Sequence, residues 1–148
     1  LYFCQDNQAQ AIYGVIRGLH YQMPPDAQSK LVSVHQGKVL DVVVDIRKGS
    51  PQFGKLLAVE LSGENQRELF IPRGFAHGYA CLSPMALLSY KVDSYYNKAS
   101  EASIAFNDPQ LAIDWQIPHQ LQKLSPKDLH HPTFEEAQHF DYNKPLYD

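Results

Sequence analysis

The 148-residue sequence fits a single domain, residues 1–148, because a chain of this size buries roughly two thirds of the surface its unfolded form exposes and needs only one core. Hydrophobic residues make up 44% of it and charged residues 20%, proportions that exclude disordered and collagen-like classes, and no apolar run approaches the roughly 20 residues of a membrane span. The net charge of −3 argues against a general nucleic-acid or acidic-lipid binder, yet leaves room for a few placed cations around a phosphorylated small molecule.

In chain order, the opening LYFCQDNQAQ lacks the basic start and apolar stretch of a secretory signal. Cys4 and Cys81 are too few for a disulfide framework or a zinc cluster, so a cytoplasmic protein with two free thiols is expected. From Ala11 to about Phe106 short β-branched and aromatic runs alternate with Gly, Pro, Asn and Ser clusters, the pattern of an all-β sandwich or barrel. KLVSV, HQGK and VLDVVVDIR read as a hairpin, with Gly37 supplying a positive φ. Within its second strand Asp41, Val43, Asp45 and Arg47 share one face, polar or ligand-facing, while Leu40, Val42, Val44 and Ile46 share a core face. KGSPQFGK is a turn, LLAVELS resumes the alternation, and SGENQ turns into ELFIP, a spacing that suits a jelly roll. Past Asn107 the chain is rich in Pro and Asp, with a short helix expected around Thr133 to Ala137, and this C-terminal extension is expected to wrap the barrel.

Two runs draw attention for chemistry. IPRGFAHGY places Pro72, Gly74 and His77 in the P-x-G-x-x-H arrangement that resembles the second motif of cupins and points His77 inward. A metal cupin would add an H-x-H pair and a carboxylate, since a stable site needs three or four converging ligands. No H-x-H pair occurs, and His130 and His131 are adjacent in a Pro-flanked tail where both would not naturally face one ion, so no metal is expected. In VIRGLHYQ a regular strand would send Arg17 and His20 to opposite faces, whereas a bulge at Gly18 would bring both into one pocket.

Taken with QDN at 5–7, QSKLV, GKVLDVVVDIRKGSPQFGK, LSGENQRELFIPRGFAHGY, SYKVDSYY, FNDPQLAIDW and LSPKD, these runs occur in an order that resembles the dTDP-4-dehydrorhamnose 3,5-epimerases from Gln5 to Pro132. The resemblance implies a cupin-like jelly-roll β-barrel, a homodimer, and activity without metal or organic cofactor on a dTDP-4-keto-6-deoxyhexose. It further implies His20 as base, Asp128 as the carboxylate orienting it, Tyr90 as acid and Lys30 beside the keto oxygen. Arg17, the His77–Asp41 pair, Gln5 and Asn7 are implied to bind substrate. Inverting a centre alpha to a carbonyl needs such a set: a base on one face, an acid on the other, and a group that stabilises the enolate.

The chain departs from the family pattern in three places. It begins close to the QDN run, without the N-terminal Arg-Gly-aromatic motif that helps bind nucleotide partly across the dimer, so altered nucleotide binding or a longer native chain is expected. Phe70 stands where Trp is common, and VDSYY replaces a Thr-containing version; neither removes a catalytic group. The alternatives are a mono-epimerase acting at C3 or C5, an inactive sugar-nucleotide binding module, and a metal-dependent cupin.

Overall fold

The computed structural model describes residues 1–147. Eleven strands follow one another: β1 (Gln5–Ile12), β2 (Ile16–Gln22), β3 (Lys30–Gln36), β4 (Lys38–Asp45), β5 (Arg47–Lys48), β6 (Leu56–Ser62), β7 (Glu68–Ile71), β8 (Phe75–Cys81), β9 (Met85–Val92), β10 (Glu101–Ser103) and β11 (Phe140–Asp141). They build a four-stranded sheet ordered β1-β9-β3-β7 and a five-stranded sheet ordered β10-β2-β8-β4-β6, while β11 pairs with β5. This is the cupin-like jelly roll that the spacing of the runs suggests.

The expected hairpin between KLVSV and VLDVVVDIR does not form as a pair. β3 bonds to β7 and β9, whereas β4 bonds to β6 and β8 of the other sheet. Gly37, at φ 77°, carries the chain from one sheet to the other, and a Cβ there would lie 2.0 Å from the Met85 carbonyl. The glycine was legible as a turn, but a turn that changes sheets has the same local chemistry as one that closes a hairpin.

Strand periodicity explains the core. Val39 and Val43 of β4, with Leu61, Tyr79 and Cys81, meet Val32, Val34, Ala86 and Leu88 of the four-stranded sheet in an interior cluster. Leu40, Val42, Val44 and Ile46 face the other way and are covered by Phe106, Trp115, Ile117, Phe134 and Phe140. The C-terminal extension therefore wraps the outer face of the five-stranded sheet, and β4 is buried on both faces rather than on one. Its interior face carries Asp41 and Asp45 as well as valines, each carboxylate held by a partner.

The helix expected around Thr133 to Ala137 is reduced to one turn. Ala137 N–H donates to the Thr133 carbonyl at 2.9 Å. The next helical acceptor, the Phe134 carbonyl, is taken by His139 Nε2 at 2.7 Å, which ends the ladder.

Candidate active site

Side chains from both sheets converge on a cleft of about 510 Å³ at one end of the interior cluster. From the five-stranded sheet come Arg17 and His20 on β2 and His77 and Tyr79 on β8; from the four-stranded sheet come Gln5 and Asn7 on β1, Lys30 on β3 and Tyr90 on β9. Asp128 is added by the one-turn 3₁₀ helix Lys127–Leu129, whose turn of chain after Ser125 aims it at β2. Eight of the nine residues singled out in the sequence line the cleft. Asp41, fully buried, lies behind His77, with which it is hydrogen-bonded, so the structure places it as support for that imidazole rather than on the cleft surface.

The bulge at Gly18 decides the geometry of β2. The register against β8 shifts between Arg17 and His20, and Gly18 has φ 132°. Ile16 and Leu19 consequently join the outer cluster while Arg17 and His20 both turn inward. A Cβ on Gly18 would stand 2.7 Å from Gly78 Cα, so two glycines let β2 and β8 approach across the irregularity.

His20 Nε2 lies 2.9 Å from Asp128 Oδ1. Burial alone would raise the Asp128 carboxyl, but hydrogen bonds from His20 and His131 outweigh it and hold it at about 2. An ionised carboxylate only accepts, so the facing nitrogen carries hydrogen and the lone pair of neutral His20 sits on Nδ1. That atom has no hydrogen-bond partner among the described residues, and the Glu101 carboxylate is 4.0 Å away.

Across the cleft Tyr90 is raised above its ordinary value by burial, against the opposing pull of Arg17, and stays a protonated phenol. Lys30 Nζ sits 5.8 Å from the centre of the Tyr90 ring. Burial lowers its ammonium to about 8, opposed by the charges of Asp41 and Glu101.

Tyr79, Glu101 and Lys127 are left out of the sequence reading, which weighs His131 only beside His130 as a metal ligand. Glu101 accepts from Tyr96 Oη at 2.9 Å and from Lys127 Nζ at 2.7 Å at the cleft edge. His131 Nε2 donates to the same Asp128 oxygen as His20, at 2.8 Å, while its Nδ1 faces Ser103 Oγ at 2.8 Å. His130 beside it is exposed. The motif histidine His77 joins no group of three ligand-type side chains among the described residues; the one such group is His20, Asp128 and His131.

An imidazole oriented by an ionised carboxylate can take a proton, a protonated phenol on the facing sheet can return one, and a buried ammonium beside the phenol can stabilise developing negative charge. Fold and site together suit an isomerase on a cupin-like jelly roll. The sequence profile of dTDP-4-dehydrorhamnose 3,5-epimerase matches residues 1–136, and the chain belongs to that family. It is 48% identical over 138 residues to a dTDP-4-dehydrorhamnose 3,5-epimerase of Shigella flexneri, covering 93% of this chain and 75% of the relative. A Legionella pneumophila epimerase crystallised with dTDP-4-keto-L-rhamnose superposes with a TM-score of 0.91 at 49% identity, over 97% of this chain and 77% of that one. A 3′-monoepimerase from Streptomyces bikiniensis in complex with dTDP-quinovose superposes with a TM-score of 0.83 at 35% identity, over 90% of this chain and 67% of that one.

Proposed function

We propose that the chain epimerises dTDP-4-dehydro-6-deoxy-D-glucose at C3 and C5 to dTDP-4-dehydro-L-rhamnose, with His20 as base and Tyr90 as acid. The carrying observation is that the two groups stand on opposing sheets across one cleft, the base tied to an ionised Asp128 and the acid kept protonated. His20 removes the hydrogen alpha to the C4 carbonyl. The resulting enolate is stabilised by the Lys30 ammonium, and Tyr90 returns a proton from the opposite face. Arg17, His77, Gln5 and Asn7 bind the substrate, and Asp41 fixes His77. In this reading the enzyme is a cytoplasmic homodimer that needs no metal or organic cofactor. Among the described residues no helix is long and apolar enough to cross a membrane.

Proton NMR of dTDP-4-keto-6-deoxyglucose incubated with the protein in deuterated water tests the reaction. Loss of both the C3 and C5 signals is expected; loss of neither would overturn the reading. The likeness to the S. bikiniensis monoepimerase keeps a second outcome in view, exchange at one carbon only. Replacement of Tyr90 by Phe separates the two proton steps. It should lower product formation by about 10²–10⁴-fold, the range of a general acid, while solvent exchange at the abstracted position falls less. Equal loss of both would remove Tyr90 from the role.

A further inference from the structure

We infer that His20, Asp128 and His131 form a divalent-cation site, selective for zinc-like ions, whose occupation competes with catalysis by engaging the base. Where inhibition is concerned the inference rests on the epimerase reading; binding itself does not.

One ligand atom from each of His20, Asp128 and His131 lies within 4.8 Å of the other two. The two Nε2 nitrogens stand 2.9 Å and 2.8 Å from the shared Asp128 Oδ1. Ligands about 2.0–2.1 Å from a tetrahedral ion are separated by roughly 3.3 Å, so each nitrogen–oxygen separation need widen by only about half an ångström. Two imidazoles and one carboxylate suit zinc, cobalt and nickel and suit calcium and magnesium poorly, because the harder ions want oxygen ligands. His20 is part of the cleft wall, with its side chain 28% exposed, so a fourth position can open towards solvent or a substrate oxygen.

The surrounding groups supply the partners that metal-bound imidazoles need. A coordinating histidine presents a lone pair to the ion and donates its other N–H to an acceptor. In the metal-free arrangement both Nε2 atoms carry hydrogen towards Asp128. Coordination moves each proton to Nδ1 within its own ring, so no net charge is lost from the two neutral rings. The His131 Nδ1–H would then donate to Ser103 Oγ, already 2.8 Å away. For His20 Nδ1, without a hydrogen-bond partner among the described residues, the acceptor is Glu101, whose carboxylate needs to close from 4.0 Å. Lys127, the nearby cation on the 3₁₀ helix, is held on that same Glu101 at 2.7 Å and so opposes an incoming ion only weakly. Once coordinated, His20 has no free lone pair, and proton abstraction stops.

Titration of the intact chain with Co²⁺ is the test, because a four- or five-coordinate cobalt–imidazole centre absorbs in the visible whether or not the protein turns over. One Co²⁺ per chain is expected, displaced by Zn²⁺. His131→Ala, and His131→Gln as a second variant that fills the space, should each weaken binding by at least about tenfold, a loss seen even for outer-shell partners. His130→Ala, altering the exposed neighbour, should leave the spectrum unchanged. No visible band in the parent, or a band lost in His130→Ala and kept in both His131 variants, would overturn the site. In the deuterium-exchange assay, Zn²⁺ at the concentration that displaces cobalt should suppress exchange, and a chelator should restore it. Exchange that persists with the site filled would overturn the competition with catalysis. A protein that binds cobalt as expected yet never exchanges the substrate protons retains the metal site and loses the epimerase reading.

Discussion

Burial at a single lysine sets opposite demands on activity and stability. Lys30 enters the cleft with its ammonium lowered to about 8 by desolvation, only partly offset by Asp41 and Glu101. In the proposed reaction the cation present below pH 8 meets the enolate, so kcat/KM should fall as pH rises through about 8, and Lys30→Met should cost about 10²–10³-fold, as removal of one oxyanion donor does. The linkage has the opposite sign. Between about pH 8 and the ordinary lysine value of 10.5 the unfolded chain binds more protons at this lysine than the folded one, so its contribution to folding stability increases across that window. Denaturant midpoints at pH 7.5 and 9.5 should therefore differ less in Lys30→Met than in the parent; an identical change in both would separate Lys30 from the effect. Tyr79 shows the same tension without titrating. It lies opposite Arg17 on β2 and Asp41 on β4, is 5% exposed, and its hydroxyl has no partner among the described residues. Burial pushes that phenol up to about 12, so it stays a donor throughout the working range. Tyr79→Phe removes an unsatisfied buried group and should raise stability by about 1 kcal/mol. KM for the sugar nucleotide should rise several-fold in compensation, and an unchanged KM would show that the hydroxyl is idle during binding.

At the scale of elements the site depends on one irregularity. Without the bulge at Gly18, strict alternation would send either Arg17 or His20 into the outer cluster. Gly18→Ala places a methyl 2.7 Å from Gly78 Cα at φ 132°, where an L side chain is itself strained. Relief requires β2 and β8 to part, which should destabilise the fold by about 2–3 kcal/mol through backbone strain and disturbed packing and lower kcat more than it raises KM. Full activity in a stable Gly18→Ala variant would mean that the strand can carry both side chains inward without this backbone. Much of this was legible: the strand runs, the turn at KGSPQFGK, the possibility of a bulge at Gly18, and the C-terminal wrap all follow from local pattern. Two features were not, for the same physical reason. The partners of β3 and β4 are set by closure of two sheets, and the approach of His131 to Asp128 is set by where a non-repetitive extension lands. Period-two alternation fixes which way a side chain points and says nothing about which strand lies beside it. Glu101 escaped notice likewise, because it sits on a three-residue strand whose place beside β2 comes from long-range pairing.

For the molecule as a whole, the question is whether the wrap is part of the barrel or a detachable strap. Trp115, the only tryptophan, is 3% exposed in the outer cluster, and its Nε1 donates to the Phe106 carbonyl at 2.9 Å. A Cβ built on Gly78 would meet its ring at 3.1 Å, so the indole lies directly behind β8, the strand that presents His77 and Tyr79 to the cleft. The extension thus backs the strand that lines the cleft, and the five-stranded sheet would expose Leu40, Val42 and Val44 without it. A sheet so dependent on its cover should not outlast it. In urea, the Trp115 fluorescence transition, which reports the wrap, should coincide with loss of the far-ultraviolet β signal, which reports the barrel. Trp115→Ala should cost about 3–5 kcal/mol, the range for deleting a large buried aromatic, and that is a large share of a domain stability of roughly 5–15 kcal/mol. Fluorescence changing at lower urea than the β signal would make the wrap a separate unit. The cavity behind β8 should then loosen the cleft before the sheets separate, with turnover lost at the first transition rather than the second.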